Sequence, residues 1–166
     1  RYRITAKEWT IDDRGACLRF SHDGYRPCRH ERRVNYRPEG IWIVQDEISG
    51  PGPLKVESFV HLHPDLAIEP YQEGWAISGK DVYLWLIPFG ATRARVLSGQ
   101  RNPDQGWYCP EFGRAIPAPV LTLEAEGTSK LRLGYVIIPE GVCALTPEAL
   151  EALLRQLNQP SGTGKS

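Results

Sequence analysis

The chain has 166 residues, enough for one domain with a sizeable core. Twenty Lys and Arg balance twenty Asp and Glu. Net charge therefore gives no reason to expect nucleic acid, and only a modest cluster (Arg26, Arg29, Arg32, Arg33, then Arg37) departs from neutrality. No apolar run reaches the roughly eighteen residues of a membrane span, so no membrane association is expected.

The opening "RYRITAKEWTIDD" lacks the apolar centre of a signal peptide and enters strand-like sequence at once, so we read the chain as part of a longer protein. Alternating, aromatic-rich segments then recur: "ACLRFSHD", "RRVNYR", "IWIVQDEI", "LKVESFVHLH", "DVYLWLIPF", "TRARVLSG", "VLTLEAEG" and "KLRLGYVIIP". They are rich in Val, Ile, Trp and Tyr and are broken by turn-forming "PEG", "GPGP" and "SGKD". This pattern predicts an all-β, antiparallel β-sandwich over residues 1–145. In "LKVESFVHLH", Leu54, Val56, Ser58, Val60 and Leu62 fall on one face. His61 and His63 fall together on the other, with Lys55, Glu57 and Phe59.

One helix is expected over residues 146–158. Thr146 suits the N-cap, Pro147 the first helical position and Glu148 the positive end of the dipole. Leu150, Leu153, Leu154 and Leu157 form its apolar stripe. Residues 159–166 read as a tail; their Gly-Lys-Ser lacks the following helix that a phosphate loop requires. Cys17, Cys28, Cys109 and Cys143 include no C-x-x-C pair, which argues against a cysteine zinc site and leaves thiols or disulfides open. Trp42, Trp75, Trp85 and Trp107 are read as core residues rather than sugar platforms. Compartment stays open, with a periplasmic or secreted location favoured.

Three of the four histidines lie in one strand-rich window with Asp46. Imidazole nitrogens and a carboxylate oxygen are common zinc ligands, and side chains facing one way on adjacent strands can stand about 5 Å apart. His30, Asp46 and either His61 or His63 would converge if they lay on three consecutive paired strands. Against this, a strand histidine is more often simply hydrogen-bonded, Asp46 could begin a turn, and the arginines after His30 would ordinarily form a solvated strand face.

Several of these motifs resemble the C-terminal β-sandwich of the heparinase II/III-like polysaccharide lyases. They are H-x-R-R-V from His30, D-x-I-x-G from Asp46, "FVHLHP" and GW-x-x-P-x-F-G from Gly106, and the likeness runs roughly from Ser21 to Pro139. The resemblance implies an N-terminal α/α toroid preceding the sandwich in the parent chain, and an acidic polysaccharide as substrate. It implies a structural divalent metal, zinc first among them, on His30, Asp46 and His61, with His63 as the alternate third ligand. It also implies β-elimination: abstraction of the proton α to a uronate carboxylate, then loss of the 4-linked sugar. A catalytic histidine is expected two residues before His30, where this chain has Cys28. His22 and Tyr25 are candidates to face the substrate cleft, although a turn at Asp23-Gly24 explains them almost as well. No catalytic residue is assigned. The chain is thus expected to be the sandwich part of a lyase, inactive alone, with a non-catalytic carbohydrate-binding or structural module as the alternative.

Overall fold

The computed structural model describes residues 3–141 and 146–158, so the expected tail at 159–166 lies outside the described residues. Fifteen strands are followed by one helix. In chain order the strands are β1 (Ile4–Asp12), β2 (Gly15–His22), β3 (Arg29–Arg37), β4 (Ile41–Ser49), β5 (Leu54–His61), β6 (Ala67–Tyr71), β7 (Gly74–Gly79) and β8 (Val82–Phe89). There follow β9 (Arg93–Leu97), β10 (Gln100–Arg101), β11 (Asp104–Gln105), β12 (Trp107–Glu111), β13 (Arg114–Pro117), β14 (Val120–Gly127), β15 (Lys130–Pro139) and the helix α1 (Pro147–Asn158).

Two antiparallel sheets of unequal width form the sandwich. The wide sheet runs β1-β2-β3-β4-β15-β8-β7-β6 and the narrow one β5-β14-β9; β10-β11 and β12-β13 are short ribbons. The all-β expectation and the single C-terminal helix both hold. The 3.6-residue stripe and the period-2 alternation each imposed its own element.

Between the sheets lies a dry core. Ile48, Ile77, Leu86, Leu131 and Leu133 of the wide sheet meet Leu54, Leu121, Leu123 and Ala125 of the narrow one. The wide sheet's other face packs Ile41, Ile43, Phe89, Val136 and Ile138 beneath Leu153 of α1, with Leu150, Leu154 and Leu157 alongside. β15 is therefore apolar on both faces, as a strand covered on both sides must be. Gly134 on β15 is required by close approach. A Cβ there would stand 2.1 Å from the Val44 carbonyl oxygen and 2.6 Å from Phe89 Cζ.

The helix is capped at its N-terminus as the sequence suggested, and its C-terminus is tied down by contacts that the pattern did not show. The Ala149 N–H donates to Thr146 Oγ1 at 3.3 Å. The Glu148 carboxyl is held below its usual range by its own backbone N–H and by Thr146. At the other end Arg132 Nη2 donates to the Leu157 carbonyl at 2.7 Å, and the Gly90 N–H donates to Asn158 Oδ1 at 3.0 Å. The first bond uses an orphan carbonyl of the last turn, and both stitch α1 to the sheet.

Trp42 corrects one expectation. It lies on an even-numbered position of β4, toward the end of the wide sheet that the narrow sheet leaves bare, and is 43% exposed, its ring tilted against that of Tyr36 with centroids 4.9 Å apart. Trp107 is only half-buried and gives its indole N–H to the Gln100 carbonyl at 2.8 Å.

Leu133 is fully buried between the sheets. Leu133→Ala leaves a cavity there, and we expect a loss of about 2–5 kcal/mol of stability by urea unfolding, with the strand-dominated circular dichroism retained.

Candidate functional site

The site lies where the wide sheet emerges from beneath the narrow one. β2, β3 and β4 pair in register, with His22 opposite His30 and Arg32 opposite Asp46. Cross-strand partners share a face, so these four side chains, with Ile48, point toward the narrow sheet. β5 forms the edge of that narrow sheet and the opposite wall. The groove between them, about 640 Å³, is lined by Tyr25, Cys28, His30, Arg32 and Asp46 on one side and by Lys55, Phe59 and His61 on the other.

Asp46 is the buried centre, 3% exposed. Its Oδ1 accepts from His30 Nε2 at 2.6 Å and from Arg32 Nε at 2.7 Å, and its Oδ2 accepts from Arg32 Nη2 at 2.7 Å. Burial alone would raise the Asp46 pKa; the Arg32 hydrogen bonds, then that of His30, overcome it and hold the carboxyl below its ordinary value. Arg32 is correspondingly raised, chiefly by its hydrogen bond to Asp46. Tyr135, nearby on β15, is raised by burial, with Arg32 opposing and Asp46 adding to the shift.

The hydrogen bonds fix the tautomers. An ionised Asp46 can only accept, so His30 Nε2 carries a proton. The Gly24 N–H donates to His22 Nδ1 at 3.2 Å, which puts the His22 proton on Nε2. His22 Nε2 lies 2.9 Å from His30 Nδ1, and that nitrogen must therefore accept. The result is a closed line from the Gly24 amide through His22 and His30 to Asp46, with one ring proton on each imidazole.

Tyr25 packs on this line, its ring centroid 5.2 Å from that of His22 and 6.2 Å from that of His30, and is 66% exposed at the groove mouth. Its loop is a turn, as the alternative reading of "SHDGY" had it. Asp23 Oδ1 accepts the Arg3 N–H at 2.7 Å, and Arg26 pairs with the same carboxylate. The Arg3 N–H, then Arg26, lower the Asp23 carboxyl to about 2. The Cys28 N–H closes the turn on the Tyr25 carbonyl at 2.8 Å. Turn and site readings thus describe the same residues. Cys28 is half-buried against the inter-sheet core and lies over Gly50, whose missing Cβ would stand 2.6 Å from its sulfur. Cys17, Cys28 and Cys109 are free thiols.

His30 and Asp46 sit on neighbouring strands, as expected. The expectation of three consecutive paired strands does not hold. β5 pairs with β14 in the narrow sheet, because the Gly50–Pro53 link crosses from one sheet to the other. His61 is exposed on that edge, its ring 6.3 Å from Phe59. His63 lies beyond the end of β5, accepting the Asp65 N–H at 3.3 Å and packing on Tyr108.

As arranged, these side chains do not fit a tetrahedral zinc ion. Three N–H groups use the oxygens of Asp46, both ring nitrogens of His30 are engaged, and a guanidinium stands where an added cation would be repelled. Among the described residues no three His, Cys, Asp or Glu side chains are grouped to hold a metal ion. Arg32 itself corrects the solvated-face reading; the residue-by-residue alternation on β3 was the signal that it shares a face with His30.

A family model described as "Heparinase II/III-like, C-terminal" matches residues 2–146. The chain belongs to this family. Solved structures share the fold at low identity. A heparinase III matches with a TM-score of 0.68 at 18% identity, over 85% of this chain and 22% of its own. A heparan sulfate lyase from Pedobacter heparinus matches with a TM-score of 0.66 at 14% identity, over 86% of this chain and 22% of its own. The chain thus spans about a fifth of the length of those structures. No curated protein matches the sequence.

The Asp46 cluster has a signed pH dependence. Because the folded Asp46 pKa is depressed, its contribution is complete above the ordinary carboxylate range near about 4 and is lost as pH falls through the folded value. Asp46→Asn leaves Arg32 without its counter-charge. Breaking a buried pair costs about 3–5 kcal/mol, and with Arg32 one-third exposed we expect the low end, about 3 kcal/mol at pH 7. Urea unfolding of both proteins should show this gap narrowing on acidification; a gap that is flat or widens toward pH 3 contradicts the assignment.

Proposed function

We propose that this chain is the β-sandwich part of a polysaccharide lyase that cleaves a uronic-acid-containing glycan by β-elimination. The observation that carries the reading is the family match over residues 2–146, joined to a groove whose mouth presents an exposed tyrosine beside buried charge. In this reading an N-terminal α/α toroid of the parent chain supplies the groups that remove and return protons, and the sandwich supplies one wall.

That wall positions rather than transfers. Elimination beside a carboxylate needs a base, an acid and a neutralising group within hydrogen-bond reach of the reacting atoms. Cys28, at the place where the resemblance expects a catalytic imidazole, is turned against Gly50. His22 has both ring nitrogens engaged and holds the Tyr25 ring from one side. Tyr25 is then the substrate contact, its ring offering a sugar-stacking face. Lys55 at the opposite lip provides a positive charge for an acidic sugar.

The second reading, a non-catalytic carbohydrate-binding or structural module, is supported by Cys28 and by the closed hydrogen-bond line. Formation of unsaturated uronate, followed by absorbance on heparan sulfate, chondroitin sulfate, hyaluronan and alginate, separates the two. We expect no product from the 166-residue chain and product from the full-length parent on at least one glycan. In that parent Tyr25→Ala should lower kcat/KM on the order of tenfold, about 1.4 kcal/mol, with Tm unchanged. A parent inactive on all four, with the chain still retarded by glycan in affinity electrophoresis, would establish the module reading.

A further inference from the structure

On the face of the wide sheet opposite the Asp46 groove, a trough of about 470 Å³ lies between β1 and the last turn of α1. The registers set Thr10, Cys17 and Asn35 abreast across β1, β2 and β3 as its floor. Arg33 and Arg37 share the face of Asn35, two residues before and after it. At the rise of a strand these two arginines stand about 13 Å apart along β3. A β-bulge between Ala6 and Glu8 completes the arrangement, because an unbroken period of two would turn Glu8, Thr10 and Asp12 to the face of Ile4 and Ala6.

Charge in the trough is not balanced. Four guanidinium groups line it (Arg14, Arg33, Arg37 and Arg132) against two carboxylates, Glu8 and Asp12. Asp12 pairs with Arg14 at 3.0 Å, and Glu8 reaches Arg33 only at 3.8 Å. Arg37 is half-buried and makes no ion pair among the described residues. Beyond Arg33 the balance returns, with Arg19 paired to Glu31 at 2.6 Å and Lys130 to Glu47 at 3.0 Å. Basic and acidic side chains cancel over the whole chain, so the surplus is local to the trough. Between its arginines the lining is polar and uncharged, from Thr10, Asn35, Gln45 and Gln156. Cys17 sits among them, its sulfur accepting from Arg33 Nε at 3.3 Å.

We infer that this trough is a second binding site, one for an acidic saccharide chain. Its arginines take sulfate or carboxylate groups, and its polar floor takes hydroxyls. A guanidinium presents paired N–H donors to two oxygens of such a group. A single small anion engages one end of the trough. A chain with anionic groups at intervals engages both ends, and a saccharide also uses the amides and the hydroxyl between them. Because the trough faces away from the Asp46 groove, it would hold a stretch of glycan remote from the reacting one. Choosing a saccharide among polyanions rests on the lyase reading; the charge surplus does not.

Cys17 makes the floor readable without a mutation. Its labelling by iodoacetamide is followed by peptide mass spectrometry in the 166-residue chain, with the exposed Cys109 as internal control. A saturating hexasaccharide of heparan sulfate or of alginate should slow Cys17 at least about tenfold and leave Cys109 unchanged. Inorganic sulfate at equal anion concentration and ionic strength should protect neither. Arg37→Gln should raise the saccharide concentration for half-protection at least about fivefold, with circular dichroism unchanged. Cys17 labelling that neither hexasaccharide slows overturns the inference, as does equal slowing of both cysteines. Protection by inorganic sulfate alone, or by a DNA oligonucleotide as well as by saccharide, overturns it too, as does protection that Arg37→Gln leaves untouched. In the full-length parent, unsaturated uronate formed without protection of Cys17 removes the trough and leaves the lyase reading. Protection without product does the reverse.

Discussion

A carboxylate with 3% exposure, placed on a strand that is otherwise apolar on that face, is the constraint from which the site follows. Asp46 cannot be ionised there unless donors fill its lone pairs. Arg32 across the ladder fills two positions and His30 a third, so β3 is fixed to β4 by side chains as well as backbone. The demand then passes outward. His30 must offer a bare nitrogen to His22, His22 another to the Gly24 amide, and that amide belongs to the turn that presents Tyr25. An exposed aromatic ring at a groove mouth is thereby positioned by a buried charge two strands away.

The unequal widths of the sheets decide where that chain of contacts becomes accessible. Under the narrow sheet, the wide sheet's side chains vanish into a dry core; beyond β5, the same face is open. His30 and Asp46 stand at the boundary, close enough to the core to be desolvated and close enough to the opening for Tyr25 to reach solvent. A wider second sheet would bury the site, and a narrower one would expose Asp46 to water and weaken its hold on Arg32 and His30.

Much of this was legible in the sequence, because period-2 alternation reports faces directly. The inward row of Val56 and Val60, the outward row of Phe59 and His61, and the leucine stripe of α1 all sit where the pattern puts them. Periodicity says nothing about which sheet a strand joins. "SGPGP" reads as a hairpin turn from β4 to β5, yet it carries the chain across the sandwich, which separates His61 from the ladder holding His30 and Asp46. Nor does pattern distinguish a solvated arginine from a clamping one. Arg32 and Arg33 are adjacent and chemically identical; alternation sends one to a buried carboxylate and the other to the opposite, more exposed face, beside Cys17 and Glu8. The bulge in β1 escaped for the same reason, since one extra residue inverts the parity on which a face assignment rests.

In this arrangement Asp46 is held by protons from His30 and Arg32 rather than by a metal ion. Nitrogen-15 chemical shifts of the His22 and His30 rings, recorded before and after addition of equimolar zinc, decide the point. We expect a protonated Nε2 and a bare, hydrogen-bonded Nδ1 on both rings, unchanged by zinc. A His30 Nε2 that is bare, or that takes on a metal-bound shift together with His61 when zinc is added, would contradict it.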